Sequence, residues 1–407
     1  MAKILIYALN YAPEPIGVGR YTSDIGAHLA TEGHEIHVVT AVPHYPQWQV
    51  VAPFKAYAYR RTRQDGASVM HCPILLRRPM RGIWRLLAPL SFAVTSIPAL
   101  IVEVLRGRPD VIFCVEPTLF AAPLALLLSW LVGARAILHV QDLEIEAAFA
   151  VGHLKGGAIR TAALHLENAV IRRFDQVITI SGRMQDKLVA KGISRDRVAL
   201  VRNWVDLDVI KPLQGRNSYR EEHGWSDNLL IALYAGSVGA KQALHVALEA
   251  ARKLAGRRDI LFVVAGDGPA KQDLVAQFGS LPNVHFLPPQ PEARMCDLLN
   301  LPDVHLLPQD RGIADLVLPS KLGGMLASGK PVLATADEGS ELYDVLRSSA
   351  VVVPAGDSAA IARELTVFAD SRGRHPAVRG DGRKLARMMA RDVCLGAITL
   401  QVVGEAR

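Results

Sequence analysis

Cysteine is scarce in this sequence, and its spacing is not that of a structural site. The four cysteines lie far apart in 407 residues and form no Cys-x-x-Cys pair: Cys72, Cys114, Cys296 and Cys394. Such spacing argues against a zinc site and against a disulfide framework, and it fits a reducing compartment. An aromatic-stacking motif and a recognition helix are missing too, so we do not expect a nucleic-acid partner.

Long hydrophobic runs are also missing. The apolar run that begins at Ile4 soon meets polar residues, unlike the core of a signal peptide. The longest later stretch, from Leu119 to Ala134, contains Pro123 and falls short of the roughly 20 residues that span a membrane. We interpret this stretch as a buried helix between two strands, and we expect a cytoplasmic protein.

The charge is basic, with a net value of +7, and it is unevenly distributed. Between Arg77 and Arg108 the arginines outnumber the one acid, Glu103, and apolar residues such as Trp84 and Phe92 lie among them. Basic residues beside apolar ones on a helix suit an anionic bilayer surface. The same pattern also fits an ordinary solvated face above a core stripe. We expect peripheral contact with the inner face of the cytoplasmic membrane.

Short apolar runs recur along the chain, each followed by a segment of helix length. Continuous apolar strands that alternate with helices are typical of parallel sheets covered on both faces. The runs form two series, which predicts an α/β fold with two Rossmann-like domains. The first series is Ile4–Leu9, Ile36–Ala41, Val111–Val115, Ala136–Val140 and Val177–Ile180, and the second is Leu229–Ala235, Leu261–Ala265, Val304–Leu307, Val332–Ala334 and Val351–Val353.

The most polar and least periodic stretch predicts a linker near residues 203–220. We therefore predict one domain at residues 1–205, a second at 206–380, and a helical tail at 381–407 that could cross back to the first domain. Asp206 and Asp208 form an Asp-x-Asp pair. Because the pair lies in the linker, we interpret it as structural and predict no metal site.

Ligands of open parallel sheets bind outside the carboxyl ends of the strands. After the first strand, Gly17, Val18 and Gly19 let the backbone approach a ligand, and a helix from about Val18 offers free N–H groups to an anion. This loop is not Gly-x-Gly-x-x-Gly, so a dinucleotide oxidoreductase has little support. A plain tight turn is the alternative interpretation.

His139 and Asp142 end the fourth strand of the first series. A histidine and an acid at this position can donate hydrogen bonds to substrate hydroxyls or accept them, which makes both residues catalytic candidates. A metal role is disfavoured, because no second histidine lies at a ligand spacing.

Two loops of the second series combine small residues with a helix start, and the first of them also carries a lysine. N–H groups, helix dipole and ammonium would then meet at one place, as a phosphate requires. The first loop lacks the glycine spacing and the Lys-Ser/Thr pair of a Walker A motif, and a structural turn is the alternative for the second. The candidate donor-binding residues here are Gly236, Ser237, Gly239 and Lys241, followed by Gly266, Asp267 and Gly268.

A third loop carries Asp315 and then Leu318, Pro319, Ser320 and Lys321. We expect Pro319 in the first turn of a helix, Ser320 as its cap, and nearby N–H groups that hold a second phosphate. Lys241 and Lys321, with two helix N-termini, would neutralise a diphosphate without a metal, and they would stabilise the charge of a leaving nucleotide.

Taken in order, these motifs resemble glycosyltransferase family 4, and within it the colanic-acid-type exopolysaccharide transferases of the WcaI group. The resemblance extends over nearly the whole chain and includes Pro43-His44-Tyr45-Pro46-Gln47-Trp48, Thr179-Ile-Ser181, Asn203-Trp-Val-Asp206 and Gly329-Lys-Pro-Val332. It implies a GT-B fold of two facing domains, retention at the anomeric carbon, no metal or other cofactor, and a donor held by the second domain. Lys241 then also counts as catalytic, and the first domain binds the acceptor near Gly17, Val18, Gly19, His44 and Tyr45.

Two departures from the family pattern concern the donor site. Ser237 occupies the place of the usual arginine of Arg-x-x-x-Lys, and the usual pair of glutamates falls near Leu316 and on Gly324. The contact of a carboxylate with the ribose is therefore missing, and Ser320 with Lys321 is its expected substitute. The resemblance suggests GDP-fucose as donor, and UDP-sugars stay open.

The leading hypothesis is a retaining, metal-independent glycosyltransferase that moves a hexose or deoxyhexose from a nucleotide sugar to a lipid-linked saccharide in exopolysaccharide biosynthesis. Two alternatives stay open. One is an epimerase of UDP-sugars with the same fold, which needs a pair of catalytic carboxylates. The other is a non-catalytic, sugar-nucleotide-binding subunit of a polysaccharide assembly complex. The absence of the usual glutamate pair supports this alternative.

Overall fold

A computed structural model describes residues 1–14, 17–77, 80, 84–116, 120–142, 157–239, 242–311, 318–371, 375 and 381–404. The chain divides into two compact units. The first contains Met1–Val201 and Leu395–Arg407, and the second contains Arg202–Cys394.

The first unit is built on an eight-stranded sheet of order β3-β4-β2-β1-β5-β6-β7-β8. Its strands are β1 Lys3–Ala8, β2 Glu35–Ala41, β3 Arg60–Gln64, β4 Ala67–Cys72, β5 Val111–Glu116, β6 Arg135–Val140, β7 Gln176–Thr179 and β8 Val198–Leu200. Its helices are α1 Val18–Thr31, α2 Trp84–Thr95, α3 Ile97–Gly107, α4 Ala122–Val132, α5 Gly157–Ile171 and α6 Gly182–Ala190.

Burial explains the parallel part of this sheet. Every residue of β5 and β7 is buried, as expected of central strands that helices cover on both faces. One edge departs from the predicted parallel pattern, because β3 pairs antiparallel with β4. The sequence did not reveal β3, since its residues are largely polar and exposed, as is usual for an edge strand.

The stretch from Leu119 to Ala134 corrects one prediction. Residues Ala122–Val132 of this stretch form a helix, α4, but that helix is only partly buried: Leu127 is 52% exposed and Trp130 is 78% exposed. Of the described helices, none alone is long and apolar enough to cross a bilayer, while the pair Leu86–Thr95 and Ile97–Gly107, bent by 42°, passes that test together.

The second unit contains a six-stranded parallel sheet of order β11-β10-β9-β12-β13-β14. Its strands are β9 Leu230–Ala235, β10 Ile260–Ala265, β11 Val284–Leu287, β12 Val304–Leu307, β13 Val332–Thr335 and β14 Val351–Val353. Its helices are α7 Ser218–Glu222, α8 Leu244–Lys253, α9 Lys271–Phe278, α10 Met295–Asn300, α11 Lys321–Ala327, α12 Glu341–Leu346, α13 Ser358–Asp370 and α14 Gly382–Met388.

Two hydrophobic clusters cover the two faces of this sheet, and alternate residues of its strands belong to different clusters. Leu230, Ala232 and Tyr234 of β9 belong to one, whereas Ile231 and Leu233 belong to the other. The strand is apolar on both faces and therefore reads as a continuous apolar run in the sequence.

The last helix, α15 Arg391–Val403, begins in the second unit, and its residues from Leu395 onward belong to the first. There Arg135 Nη1 donates to the carbonyl of Gln401 at 2.9 Å, and Gln176 Nε2 donates to Gln401 Oε1 at 2.8 Å. Of the predicted tail, only the part from Leu395 onward belongs to the first unit, whereas α14 Gly382–Met388 belongs to the second. The two-domain α/β architecture is as predicted.

Candidate functional site

The second unit holds two glycine turns, which follow β9 and β10 and pack against each other. Gly236 has a φ of 136° and Gly266 a φ of 145°, a region that favours glycine. A Cβ at Gly266 would lie 1.9 Å from the carbonyl oxygen of Gly236, and one at Gly268 would lie 2.3 Å from that of Val238. Contact between the two turns therefore explains why glycine stands at Gly266 and Gly268.

Lys321 extends its ammonium to the first of these turns. Its Nζ donates a hydrogen bond of 2.5 Å to the hydroxyl of Tyr234 and lies 3.9 Å from the centroid of that ring. The Tyr234 hydroxyl in turn donates to the carbonyl of Ser237 at 2.5 Å. A Cβ at Gly236 would lie 3.2 Å from Nζ, so the glycine leaves room for the ammonium.

Burial makes this ammonium unusual. It lowers the pKa of Lys321 to about 7, and no acid among the described residues forms an ion pair with it. A buried cation without a counter-ion is costly unless an anion joins it. Among the described residues, the surroundings of Lys321 offer its ammonium a hydroxyl acceptor, Tyr234, but no negative charge.

Ser320 and Pro319 differ from their predicted roles. Helix α11 begins at Lys321, so Pro319 lies before its first turn, and the Ser320 side chain makes no capping hydrogen bond although Ser320 is at the N-cap position. Leu318 is buried at 6% exposure. The feature that this loop contributes is therefore the Lys321 ammonium and not a helix start capped by Ser320.

Other predicted donor-site residues have mixed outcomes. The helix expected to open at Lys241 begins instead at Leu244, and Gly239 N donates to Gln242 Oε1 at 3.0 Å. Asp267 is exposed, and its Oδ1 accepts from Gly268 N at 2.8 Å. Lys241 and Asp315 lie outside the described residues.

In the first unit, a buried carboxylate organises the predicted acceptor loop. Glu14 is 5% exposed, and its Oε1 accepts from the backbone N–H groups of His44 at 2.8 Å and Tyr45 at 2.9 Å. Its Oε2 accepts from Asn10 Nδ2 at 2.7 Å, and a Cβ at Gly19 would lie 3.0 Å from the same oxygen. Glu14 therefore ties the loop after β1 to the loop after β2.

The two predicted side chains of this loop differ in exposure. His44 is 3% exposed, its Nδ1 lies 2.9 Å from the carbonyl of Val42, and its Nε2 has no hydrogen-bond partner among the described residues. Tyr45 is 36% exposed. Helix α1 begins at Val18 as predicted, with Gly17 as its N-cap residue at a φ of 68°. Gly17 and Tyr45 are neighbours, because a Cβ at Gly17 would lie 3.4 Å from the Tyr45 ring.

His139 is fully buried near the end of β6. Burial lowers the pKa of its imidazole to about 4, so the ring is neutral at pH 7. Its Nε2 lies 3.2 Å from Gln141 Nε2, while no described residue forms a hydrogen bond with Nδ1. Asp142 is half-buried, just beyond the strand. The catalytic roles of His139 and Asp142 stay predictions.

The sequence did not single out Glu14 or Tyr234. Glu14 stands in a proline-rich loop without a motif, and Tyr234 lies within an apolar strand where it reads as a core residue. Only the fold brings the Tyr234 hydroxyl to Lys321, which is 87 residues away in the chain.

Metal ligation has no support in the described part of the chain, where no group of three or more histidine, cysteine, aspartate or glutamate side chains could hold an ion. Asp206 Oδ1 accepts from the backbone N–H groups of Asp208 at 2.9 Å and Val209 at 3.2 Å. The pair thus stabilises a turn, in agreement with its structural interpretation.

Comparison with known proteins identifies the family. Residues 17–204 match the family model described as "Glycosyl transferase 4-like domain", and residues 230–370 match "Glycosyl transferases group 1". A colanic acid biosynthesis glycosyl transferase, WcaI, of Escherichia coli (strain K12) is 39% identical over 346 residues, 84% of each protein. A D-inositol 3-phosphate glycosyltransferase of Streptomyces avermitilis is 30% identical over 57% of this chain and 52% of its own length.

Solved structures share the fold across the whole chain. A sucrose-phosphate synthase from Thermosynechococcus elongatus has a TM-score of 0.72 at 13% identity and covers 98% of both chains. Anabaena HepE, solved in complex with UDP and glucose, has a TM-score of 0.68 at 14% identity and covers 100% of both. This chain belongs to the glycosyl transferase 4-like family and is a glycosyltransferase with the GT-B fold.

Proposed function

We propose that the protein is a retaining, metal-independent transferase that moves a hexose or deoxyhexose from a nucleotide-diphosphate sugar to a lipid-linked oligosaccharide. The observation that carries the proposal is the partly buried ammonium of Lys321, which lies at the Gly236 turn and has no acidic partner among the described residues. A pyrophosphate supplies the counter-charge that this ammonium lacks.

On the donor side, Lys321 acts on the leaving group. As the bond between the sugar and the diphosphate breaks, negative charge develops on the leaving phosphate oxygen. A cation held in a water-poor site stabilises that charge more than it stabilises the intact donor. Ser237 stands where the family usually has an arginine and carries no charge. Lys321, at the start of α11, supplies a cation in its place.

On the acceptor side, the first unit holds the nucleophile. The acceptor hydroxyl attacks the anomeric carbon from the face that the nucleotide leaves, so the configuration is retained. The hydroxyl proton passes to the departing phosphate oxygen, and no enzymic base is needed. Glu14 keeps the backbone of His44 and Tyr45 in place for this acceptor.

Membrane association is part of the proposal. Helix α3 packs against α2 and α4, and each of the three helices has exposed apolar side chains, which together we call the apolar helix surface. Its members are Leu90, Val94, Val102, Leu105, Leu127, Trp130 and Leu131. The acid of this region, Glu103, is buried and bonded to His37 and Arg61, whereas Arg106 and Arg108 are exposed. An apolar face bordered by cations suits an anionic bilayer.

The relatives guide the choice of donor and pathway. The similarity to WcaI favours a role in colanic-acid-type exopolysaccharide biosynthesis, with GDP-fucose as the first donor to test. The UDP-glucose complex of HepE makes UDP-sugars the second group.

The test is a panel of GDP- and UDP-sugars with EDTA present. Donors are ranked by the rise in melting temperature, and products are then identified by mass after a lipid-linked acceptor is added. We expect one donor to stabilise the wild type and the exposed-lysine variant Lys253→Met, but not Lys321→Met. Binding without transfer or hydrolysis would favour a non-catalytic subunit, and a changed configuration of the sugar in the free nucleotide would favour an epimerase.

A further inference from the structure

An open pocket of about 440 Å³ lies in the first unit, within the volume range of small-molecule sites. It is formed by the segment between β2 and β3 together with the residues that follow β4. Its walls carry the rings of Trp48, Phe54 and Tyr57 and the cations of Lys55 and Arg77. No acid is among the described residues that line it.

The walls are firmly built. Trp48 has a φ of 53°, a strained value for a bulky residue, which a fold retains where its surroundings enforce it. Backbone hydrogen bonds tie the lining segment to its neighbours: Gln49 N donates to the carbonyl of His44 at 3.1 Å, and Ile74 N donates to that of Ala56 at 2.9 Å.

The pocket adjoins the predicted acceptor loop on one side. The Trp48 ring lies 5.6 Å from the His44 ring and 5.8 Å from the Tyr45 ring, measured between centroids. On the other side, the Arg77 guanidinium stacks over Trp84 at 4.8 Å, at the start of α2 and so beside the apolar helix surface. The pocket therefore lies between the candidate acceptor residues and the surface proposed to meet the bilayer.

We propose that this pocket, the Trp48 pocket, binds the phosphate-bearing sugar of a lipid-linked acceptor. The aromatic rings offer flat faces to the apolar side of a sugar ring, and Lys55 and Arg77 pair with its phosphates. The acid-free lining favours a ligand with net negative charge. The inference rests on the proposed function, because it names the substrate class of the acceptor half.

The experiment titrates the full-length protein with decyl pyrophosphoryl glucose, galactose and mannose and follows tryptophan fluorescence. We expect at least one hexose to bind, and Lys55→Ala with Arg77→Ala to weaken its binding about 10- to 100-fold, as for lost charge-assisted bonds. Trp48→Gly removes the ring while glycine tolerates the backbone angle, and it should abolish the fluorescence change. Arg63→Ala, an exposed cation outside the pocket, should leave binding unchanged.

The outcomes separate this proposal from the donor site. If the wild type binds none of the three hexoses, or if the pocket variants bind them as well as the wild type does, the proposal is wrong. It is also wrong if the variants lose binding only to phosphatidylglycerol vesicles, because the site then serves a lipid headgroup. Donor binding should persist in every pocket variant. An error in the proposed donor site would instead appear as normal donor binding by Lys321→Met.

Discussion

Binding of the donor should be linked to the uptake of a proton by Lys321. The pKa of this lysine is about 7 in the free protein, so much of it is neutral under ordinary assay conditions. A pyrophosphate beside the ammonium favours the charged form and raises the pKa again. A nucleotide sugar does not itself titrate between pH 6 and 8, so an observed uptake of protons reports on the protein.

The magnitude follows from the pKa. With a free pKa of about 7, binding should take up about 0.1 proton at pH 6 and about 0.9 at pH 8, and affinity should fall about tenfold between them. The nearby groups in contact with this region are Tyr234, which the ammonium touches, and Asp267 and Lys271 of the neighbouring turn. The Lys271 ammonium donates to the carbonyls of Gly266 and Leu287.

Calorimetric titrations in buffers of different ionisation enthalpy measure the number of protons. Lys321→Arg stays charged and should lose the pH dependence while it keeps binding. Tyr234→Phe removes the hydroxyl that accepts from the Lys321 ammonium, so the pKa of Lys321 should fall further. Proton uptake on donor binding should then begin at lower pH. Zero uptake by the wild type at pH 8, or an unchanged pH slope in Lys321→Arg, would refute the reasoning.

Stability supplies an independent readout of the same lysine. Its pKa falls from 10.5 to about 7, which corresponds to a cost on the order of 5 kcal/mol for keeping the charge in the free protein. The full cost applies below pH 7 and fades as the pH rises toward 10.5. Lys321→Met should therefore stabilise the free protein most at pH 6, although it loses donor binding.

Three further predictions concern other parts of the molecule. Gly266→Ala should lower the free energy of unfolding by several kcal/mol in urea titrations, because the new Cβ would meet the Gly236 carbonyl. The control Gly339→Ala, at a φ of 82° with open space around it, should cost about 1–2 kcal/mol. Equal losses in the two variants would contradict the packing of the turns. Glu14→Gln should raise the KM for the acceptor about tenfold and leave the KM for the donor unchanged in steady-state kinetics, since it weakens charge-assisted bonds in the first unit only. Trp130→Glu should reduce co-sedimentation with phosphatidylglycerol vesicles, and wild-type binding that survives high salt undiminished would count against the electrostatic part of the account.

Much of the fold could be predicted because buried parallel strands are continuous apolar runs. Every strand predicted from such a run is present, with ends that move by at most one residue. Four strands escaped prediction because they lack this signal. Arg60–Gln64 is polar, and Val284–Leu287 is only half-buried along most of its length. Ala67–Cys72 mixes polar with apolar residues, and Val198–Leu200 has only three residues. Exposure could not be predicted for α4, since its composition is apolar all round while its packing covers only one side.

The candidate site could be predicted only in part. Lys321 was recognisable from its position after Pro-Ser in a loop at the end of a strand. Its partner Tyr234 was not, because a tyrosine in a buried strand normally reads as core and only tertiary contact reveals its polar role. The glycine at Gly266 did indicate a close approach of the backbone. The structure shows that the approach is to the Gly236 turn, and local sequence cannot distinguish such a contact from contact with a phosphate.

The central claim is that Lys321 neutralises the donor pyrophosphate without a metal ion. The most direct measurement is the affinity for the preferred nucleotide sugar in excess EDTA, for the wild type, Lys321→Met and the matched control Lys253→Met. The account predicts full binding by the wild type and by the control, and a loss of about 10- to 100-fold in Lys321→Met, the value of a charge-assisted bond. Equal binding by all three proteins, or wild-type binding that appears only after Mg²⁺ is restored, would contradict it.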